Sequence, residues 1–197
     1  IAEDMDFINS GIKSELTKLD IGQIDYVQYC DEALLKLKRA RLDNTPYDLL
    51  ISDLSFEKDG ITQKITSGDQ LVKEVRKEFP NLKIVVFSIE DKTYTIQTLF
   101  NEHKINGYVW KSRDGLRELK QALQKIYNSE NRYISRHCAS AISNNEAIEI
   151  ADYDIFLIEC LSKGYLQEQI SEELKNKEWT STSVSSIEKR LKFLREH

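Results

Sequence analysis

The chain has 197 residues, 40% of them hydrophobic and 31% charged, and a formal net charge of −5. It can fill a core and stay in solution, and its mild acidity argues against a protein coated in nucleic acid while leaving room for a local basic face. No apolar run approaches the roughly 18 residues of a membrane span, and no signal-peptide pattern is present.

The first two thirds alternate strand and helix signals. "IAEDMDF" opens with the end of a strand and an acidic turn. "FINSGIKSELTKL" carries Ile8, Ile12, Leu16 and Leu19 at helical spacing. "IDYVQY" is β-branched and aromatic and predicts a strand. "DEALLKLKRARL" predicts an amphipathic helix capped by Asp31. "YDLLISD" reads as a buried strand that runs into an acid, and Glu57 to Thr66 as an extended polar loop. "GDQLVKEVRKEF" predicts a helix with Leu71, Val72, Val75 and Phe79 on one side, stopped by Pro80. "LKIVVFS" and "INGYVW" predict strands, and "DKTYTIQTLFNEH" and "DGLRELKQALQKIY" predict helices, the last with Leu116, Leu119, Leu123 and Ile126 inward. Five strands alternating with five helices point to a doubly wound α/β fold with a five-stranded parallel sheet.

The stretch from Ser129 to Ala147 is polar and without periodicity, and is expected to be a linker. Beyond it the pattern is all helical: "DYDIFLIECLSKG", "YLQEQISEELKN" and "SVSSIEKRLKFLREH". The expected organisation is therefore 1–128, a linker at 129–147, and a small all-α unit at 148–197. The chain starts at Ile1 in a strand-like pattern and stops at His197 in a helical one, so both ends are expected to be incomplete. Cys30, Cys138 and Cys160 are far apart and lack CxxC spacing. They are expected as reduced thiols of a cytoplasmic protein, not a disulfide frame or zinc site.

Parallel sheets bind ligands at the carboxyl ends of their strands. Read in order, the strands end in Glu3 and Asp4, then Asp53, then Ser88, then Trp110 and Lys111. Three carboxylates brought to one spot repel unless a cation is present. A hard cation such as Mg²⁺ suits them, and Lys111 adds a fixed positive charge. The corresponding chemistry is attack of a carboxylate on a phosphoryl group, with Asp53 as nucleophile because its strand is the most apolar, and Ser88 within reach of the new phosphate. Each residue also has a structural reading: Asp53 as a strand-end cap, Ser88 as a helix cap, Tyr108 as core, Lys111 as a surface lysine.

With Glu3–Asp4, "DLLISD", "VVFS" and "GYVWK" in this order, residues 1 to about 128 resemble the receiver domain of two-component response regulators, a flavodoxin-like fold. The resemblance implies that Asp53 accepts phosphate from a sensor histidine kinase. It implies that Glu3, Asp4 and Asp53 hold Mg²⁺ with the main chain at Ser55. It makes Ser88 and Tyr108 the switch pair, the hydroxyl moving to the phosphate and the ring turning inward. The sequence departs from the pattern in Ser112 after the lysine and in a long loop after Asp53.

The last third resembles the helix-turn-helix of LuxR-type, or NarL/FixJ, regulators. "IADYDIFLIECLSKG" matches the first helix, with Gly164 at the tight turn. "YLQEQISEEL" matches the scaffold helix and "SVSSIEKRL" the recognition helix. Ile170, Leu174, Ile187, Leu191 and Leu194 are expected in the core. The resemblance implies that Ser186, Lys189 and Arg190 face DNA, with Lys192 and Arg195 near phosphates. "KNKEWTST" is an insertion before the recognition helix, Leu166 stands where a capping Ser is usual, and a fourth, dimerising helix is missing.

The expected function is a cytoplasmic, phosphorylation-dependent transcription regulator. Its partners would be a sensor histidine kinase, double-stranded DNA and, when active, a second copy of itself, and it would not be an enzyme in the ordinary sense. Two alternatives are a pseudo-receiver that regulates DNA without phosphate and an interaction module that binds no DNA.

Overall fold

The apolar runs pair in parallel, as their lack of alternation requires for strands buried on both faces. In this computed structural model, residues 1–197 are described except 20, 58, 130–131, 140–151, 178, 180–181 and 197. The chain divides into two compact units, Ile1–Ser143 and Asn144–His197. In the first, the elements are α1 (Asp6–Leu16), α2 (Cys30–Leu42), β1 (Leu49–Ser52), α3 (Gly68–Glu78), β2 (Lys83–Ser88), α4 (Thr93–Asn101), β3 (Gly107–Trp110), α5 (Gly115–Ser129), β4 (Tyr133–Ile134) and a 3₁₀ turn (Arg136–Cys138). The second holds α6 (Asp152–Ser162), α7 (Gln167–Asn176) and α8 (Val184–Glu196).

The sheet order is β1-β2-β3-β4, all parallel. Four regular strands are described, not the five expected, and the membership differs. The two N-terminal strand signals contribute single bridges only: Ala2 pairs with Val27 on one side and with Ser52 on the other. The reason is local. The chain bends at Asp4 and turns into α1 at Asp6, so it leaves the sheet as soon as Ala2 is paired. The added strand, β4, lies in the stretch expected as a linker. Its Tyr133 and Ile134 pair with Gly107 and Tyr108. The rest of that stretch, from 140, falls outside the described residues.

Successive strand residues point to opposite faces, and the core splits accordingly. Leu50, Ile84, Val86 and Tyr108 face α2, α3 and α4. Ile51, Val85, Phe87 and Val109 face α1 and α5 through Ile12, Leu16, Leu119, Ala122, Leu123 and Ile126. Helices therefore cover both faces, and the strand ends converge at one edge of the layer. Asp31 does not cap α2, whose N-cap is Tyr29. Its carboxylate instead accepts the amides of Lys64 (2.7 Å) and Ile65 (3.1 Å), which fastens the Glu57–Thr66 loop.

The second unit has its own core of Leu157, Cys160, Ile170, Leu174 and Ile187. Gly164 takes φ +79° after α6, a conformation that costs glycine little. Its amide reaches Leu161 O (2.9 Å) while that of Tyr165 reaches Cys160 O (3.1 Å), the paired bonds that close a helix C-terminus. All three cysteines are buried free thiols. Among the described residues no helix is long and apolar enough to cross a membrane.

Candidate functional site

Glu3, Asp4 and Asp53 come together: carboxylate oxygens of the three lie within 4.8 Å of one another. Parallel pairing brings them there. Asp53 N donates to Ala2 O (3.0 Å) and Glu3 N to Val27 O (3.0 Å), so the end of β1 and the first bend share one spot. Lys111, just past β3, reaches back. Its ammonium lies 2.6 Å from Glu3 Oε2 and 2.6 Å from Asp53 Oδ2. Glu3 is 1% exposed and Asp53 6%. One cation thus neutralises two buried acids, which would otherwise cost several kcal/mol each.

Local amides take one further bond at each acid. Leu54 N donates to Asp53 Oδ1 (2.6 Å), Met5 N to Glu3 Oε1 (3.2 Å) and Glu57 N to Asp4 Oδ2 (2.7 Å). Burial raises the Glu3 carboxyl above its ordinary value, against the pull of Lys111. Burial, then the nearby acids, of which Asp31 and Asp69 act most, pushes the Cys30 thiol up to about 12. Three hard oxygen donors, from Glu3, Asp4 and Asp53, fit a Mg²⁺ ion.

Ser88 is fully buried at the end of β2, and its hydroxyl accepts from Glu90 N (3.4 Å). It does not cap α4, whose N-cap is Lys92. Tyr108 is fully buried with its ring in the core, and its hydroxyl donates to Glu90 O. Burial pushes its phenol far above the usual range. Ser55 is exposed, two residues past Asp53.

Two contributors escape the sequence reading. Gly68 N donates to Leu54 O (2.9 Å), and a Cβ on Gly68 would stand 1.8 Å from Asp53 O. Only glycine lets α3 approach the Asp53 strand end so closely; its place next to a helix start was the available signal. His137, exposed, stacks on Trp110 with ring centroids 3.9 Å apart, a contact that no sequence spacing signals.

In the second unit the expected DNA-facing set divides. Lys189, Lys192 and Arg195 are exposed on α8. Arg190 is not: its Nε and Nη2 each lie 2.6 Å from an oxygen of Asp154, a fully buried carboxylate on α6. Arg190 serves the packing of α8 on α6. Ser186 bonds the Ser183 hydroxyl (2.8 Å), and Ser183 Oγ accepts Ser186 N (3.2 Å), so this pair closes the start of α8. At Leu166 the missing side-chain cap is half replaced, since Gln169 Oε1 accepts Leu166 N (2.8 Å). The insertion is pinned as well. Trp179 packs 5.6 Å from Tyr153 and 6.1 Å from Phe156, and Ser171 Oγ donates to Thr182 O (2.6 Å).

No sequence-family model matches the chain, and no curated protein sequence does. Solved structures do. The RcsB response regulator of Salmonella typhimurium superposes with a TM-score of 0.70 at 19% identity, over 97% of this chain and 87% of that one. A complex of the two-component response regulator RcsB with DNA gives 0.70 at 20% identity, over 97% and 86%. The chain has the RcsB fold. The non-phosphorylated receiver domain of RcsB from Escherichia coli matches on its own, with a TM-score of 0.53 at 22% identity over 68% of this chain and 94% of that one. RcsB is a LuxR/NarL-family regulator with a receiver domain and a DNA-binding domain.

Proposed function

We propose that this chain is a phosphorylation-dependent, DNA-binding response regulator that controls transcription. The observation that carries the reading is the Lys111 ammonium, 2.6 Å from both Glu3 and Asp53, with Asp4 in the same cluster. Phosphoryl transfer needs in-line positioning and charge neutralisation more than acid–base help. A Mg²⁺ ion held by Glu3, Asp4, Asp53 and the main chain at Ser55 would supply part of that neutralisation. Lys111 supplies the rest. A carboxylate oxygen of Asp53 forms the bond to phosphorus as the bond to the donor, a phosphohistidine of a sensor histidine kinase, breaks. Ser88 then hydrogen-bonds the phosphoryl group and biases a two-state switch with Tyr108.

The receiver would extend past residue 128 to include Tyr133–Cys138, within the compact unit Ile1–Ser143, and the DNA-binding unit would follow. Lys189, Lys192 and Arg195 would meet backbone phosphates of double-stranded DNA. A chain of net charge −5 gains little from its overall field, so affinity would rest on a homodimer at two half-sites. Structures of two RcsB dimers bound to two parallel DNAs, and of RcsB bound to the promoter rprA with the phosphomimetic BeF₃⁻, support this reading. It is a cytoplasmic regulator rather than an enzyme that turns over a substrate.

Tyr108 favours a second reading. Its ring is already fully buried, the inward state that phosphate is expected to induce. A pseudo-receiver active without phosphate would have this arrangement. Incubation with Mg²⁺ and a small phosphodonor separates the two. The full-length chain is expected to gain one phosphate by intact mass and Asp53→Asn none. No gain in the folded wild type would favour the second reading.

A further inference from the structure

We infer that the switch of this chain extends beyond Ser88 and Tyr108 to Trp110 and His137, which act as positioning residues and couple the loop after β2 to the 3₁₀ turn 136–138. The inference rests on the function proposed above. Three consecutive loop residues are each held by a different side chain. Ile89 O accepts the indole N–H of Trp110 (3.2 Å), Glu90 O accepts the Tyr108 hydroxyl, and Asp91 Oδ2 lies 3.5 Å from His137 Nε2. Tyr108 and Trp110 are two apart on β3, so both point to the same face. His137 completes the row by stacking on Trp110 at 3.9 Å with 17° between the ring planes.

Its other bonds lie within the loop itself: Glu90 Oε1 accepts Asp91 N (3.1 Å) and Lys92 N (3.0 Å), and Glu90 Oε2 lies 3.2 Å from the Lys92 ammonium, so the loop holds together as a unit. Ile89 is 65% exposed, so no core side chain anchors it there. The other half of the row is fixed. Ser135 Oγ accepts Trp110 N (2.9 Å) and Ser135 N donates to Tyr108 O (2.9 Å), which locks the turn's entry to β3. The loop is also tied to Ser88, whose hydroxyl accepts Glu90 N. When Ser88 turns toward a phosphoryl group on Asp53, Glu90 N loses its acceptor and residues 89–91 shift together. The exposed Asp91–His137 contact is the weakest of the three, so it yields first and the His137 ring moves off Trp110. The signal thereby reaches residues 136–138, which precede the second unit in the chain.

The test follows His137 by NMR in the full-length chain carrying ¹³C-labelled histidine. Its Hε1 resonance is assigned by its loss in His137→Gln and is shifted upfield by the indole face. Mg²⁺ with beryllofluoride should move it downfield, and Asp91→Ala should shrink that change at least twofold. Phosphate uptake from acetyl phosphate is read by intact mass on the same preparations. Uptake with an unmoved His137 resonance, or with an undiminished change in Asp91→Ala, overturns the coupling alone. No uptake at Asp53 overturns the proposed function and the coupling with it.

Discussion

Lys111 carries more of the local electrostatics than any other residue of the site. It is 9% exposed at the side chain and touches two acids of similar burial. Replacing it by Met leaves both uncompensated, and breaking a buried pair from one side is expected to cost about 3 kcal/mol. Urea denaturation at neutral pH without Mg²⁺ reads that loss. Glu3 makes a pH-dependent contribution of known sign. Its folded carboxyl lies above its ordinary 4.5, so the folded state holds the proton more tightly than the unfolded one. Its contribution is fully present below pH 4.5 and is lost as pH rises through the folded value. Glu3→Gln should gain stability relative to the native chain as pH rises from about 4.5, seen as a growing difference in urea midpoint. The acids and Lys111 were legible because each ends an apolar run. Arg190 was not, because its partner Asp154 lies 36 residues away and only folding brings them together.

At the level of elements, close approach decides what fits. α3 starts against the backbone of Asp53 and Leu54, where a methyl group has no room. Gly68→Ala must push α3 off the end of β1, and overpacking of this kind costs about 2 kcal/mol. The expected outcome is a lowered thermal midpoint together with slower phosphate uptake, measured by differential scanning calorimetry and intact mass. Sequence periodicity placed the helices of the first unit well, since one face of each meets the sheet. It did less well at chain segments whose partner decides the structure. "IDYVQY" has the composition of a strand but only Val27 finds a pairing neighbour, in Ala2. Tyr133 and Ile134 have no pattern of their own and become a strand because the edge of β3 is open to them. Asp31 looks like a helix cap, yet the amides of the following loop outcompete the helix for its oxygens.

Over the whole molecule, three hydrophobic clusters serve two units, two of them on opposite faces of the first unit's sheet. The buried Asp154 belongs to the second unit, so its loss should be felt there. Asp154→Ala strands Arg190, which retains 34% exposure and can reach water, so the cost is about 2 kcal/mol rather than that of a fully buried pair. Binding of DNA should fall while phosphate gain at Asp53 is unchanged, checked by fluorescence anisotropy and intact mass on one preparation. The sheet itself has a further consequence. Its described margins are narrow: a single bridge at Val27 on one side and the two residues of β4 on the other. A margin this short offers a neighbouring molecule almost no row of free amides to zip onto. Self-association by strand addition, with its risk of runaway fibre growth, is therefore disfavoured at these two described margins.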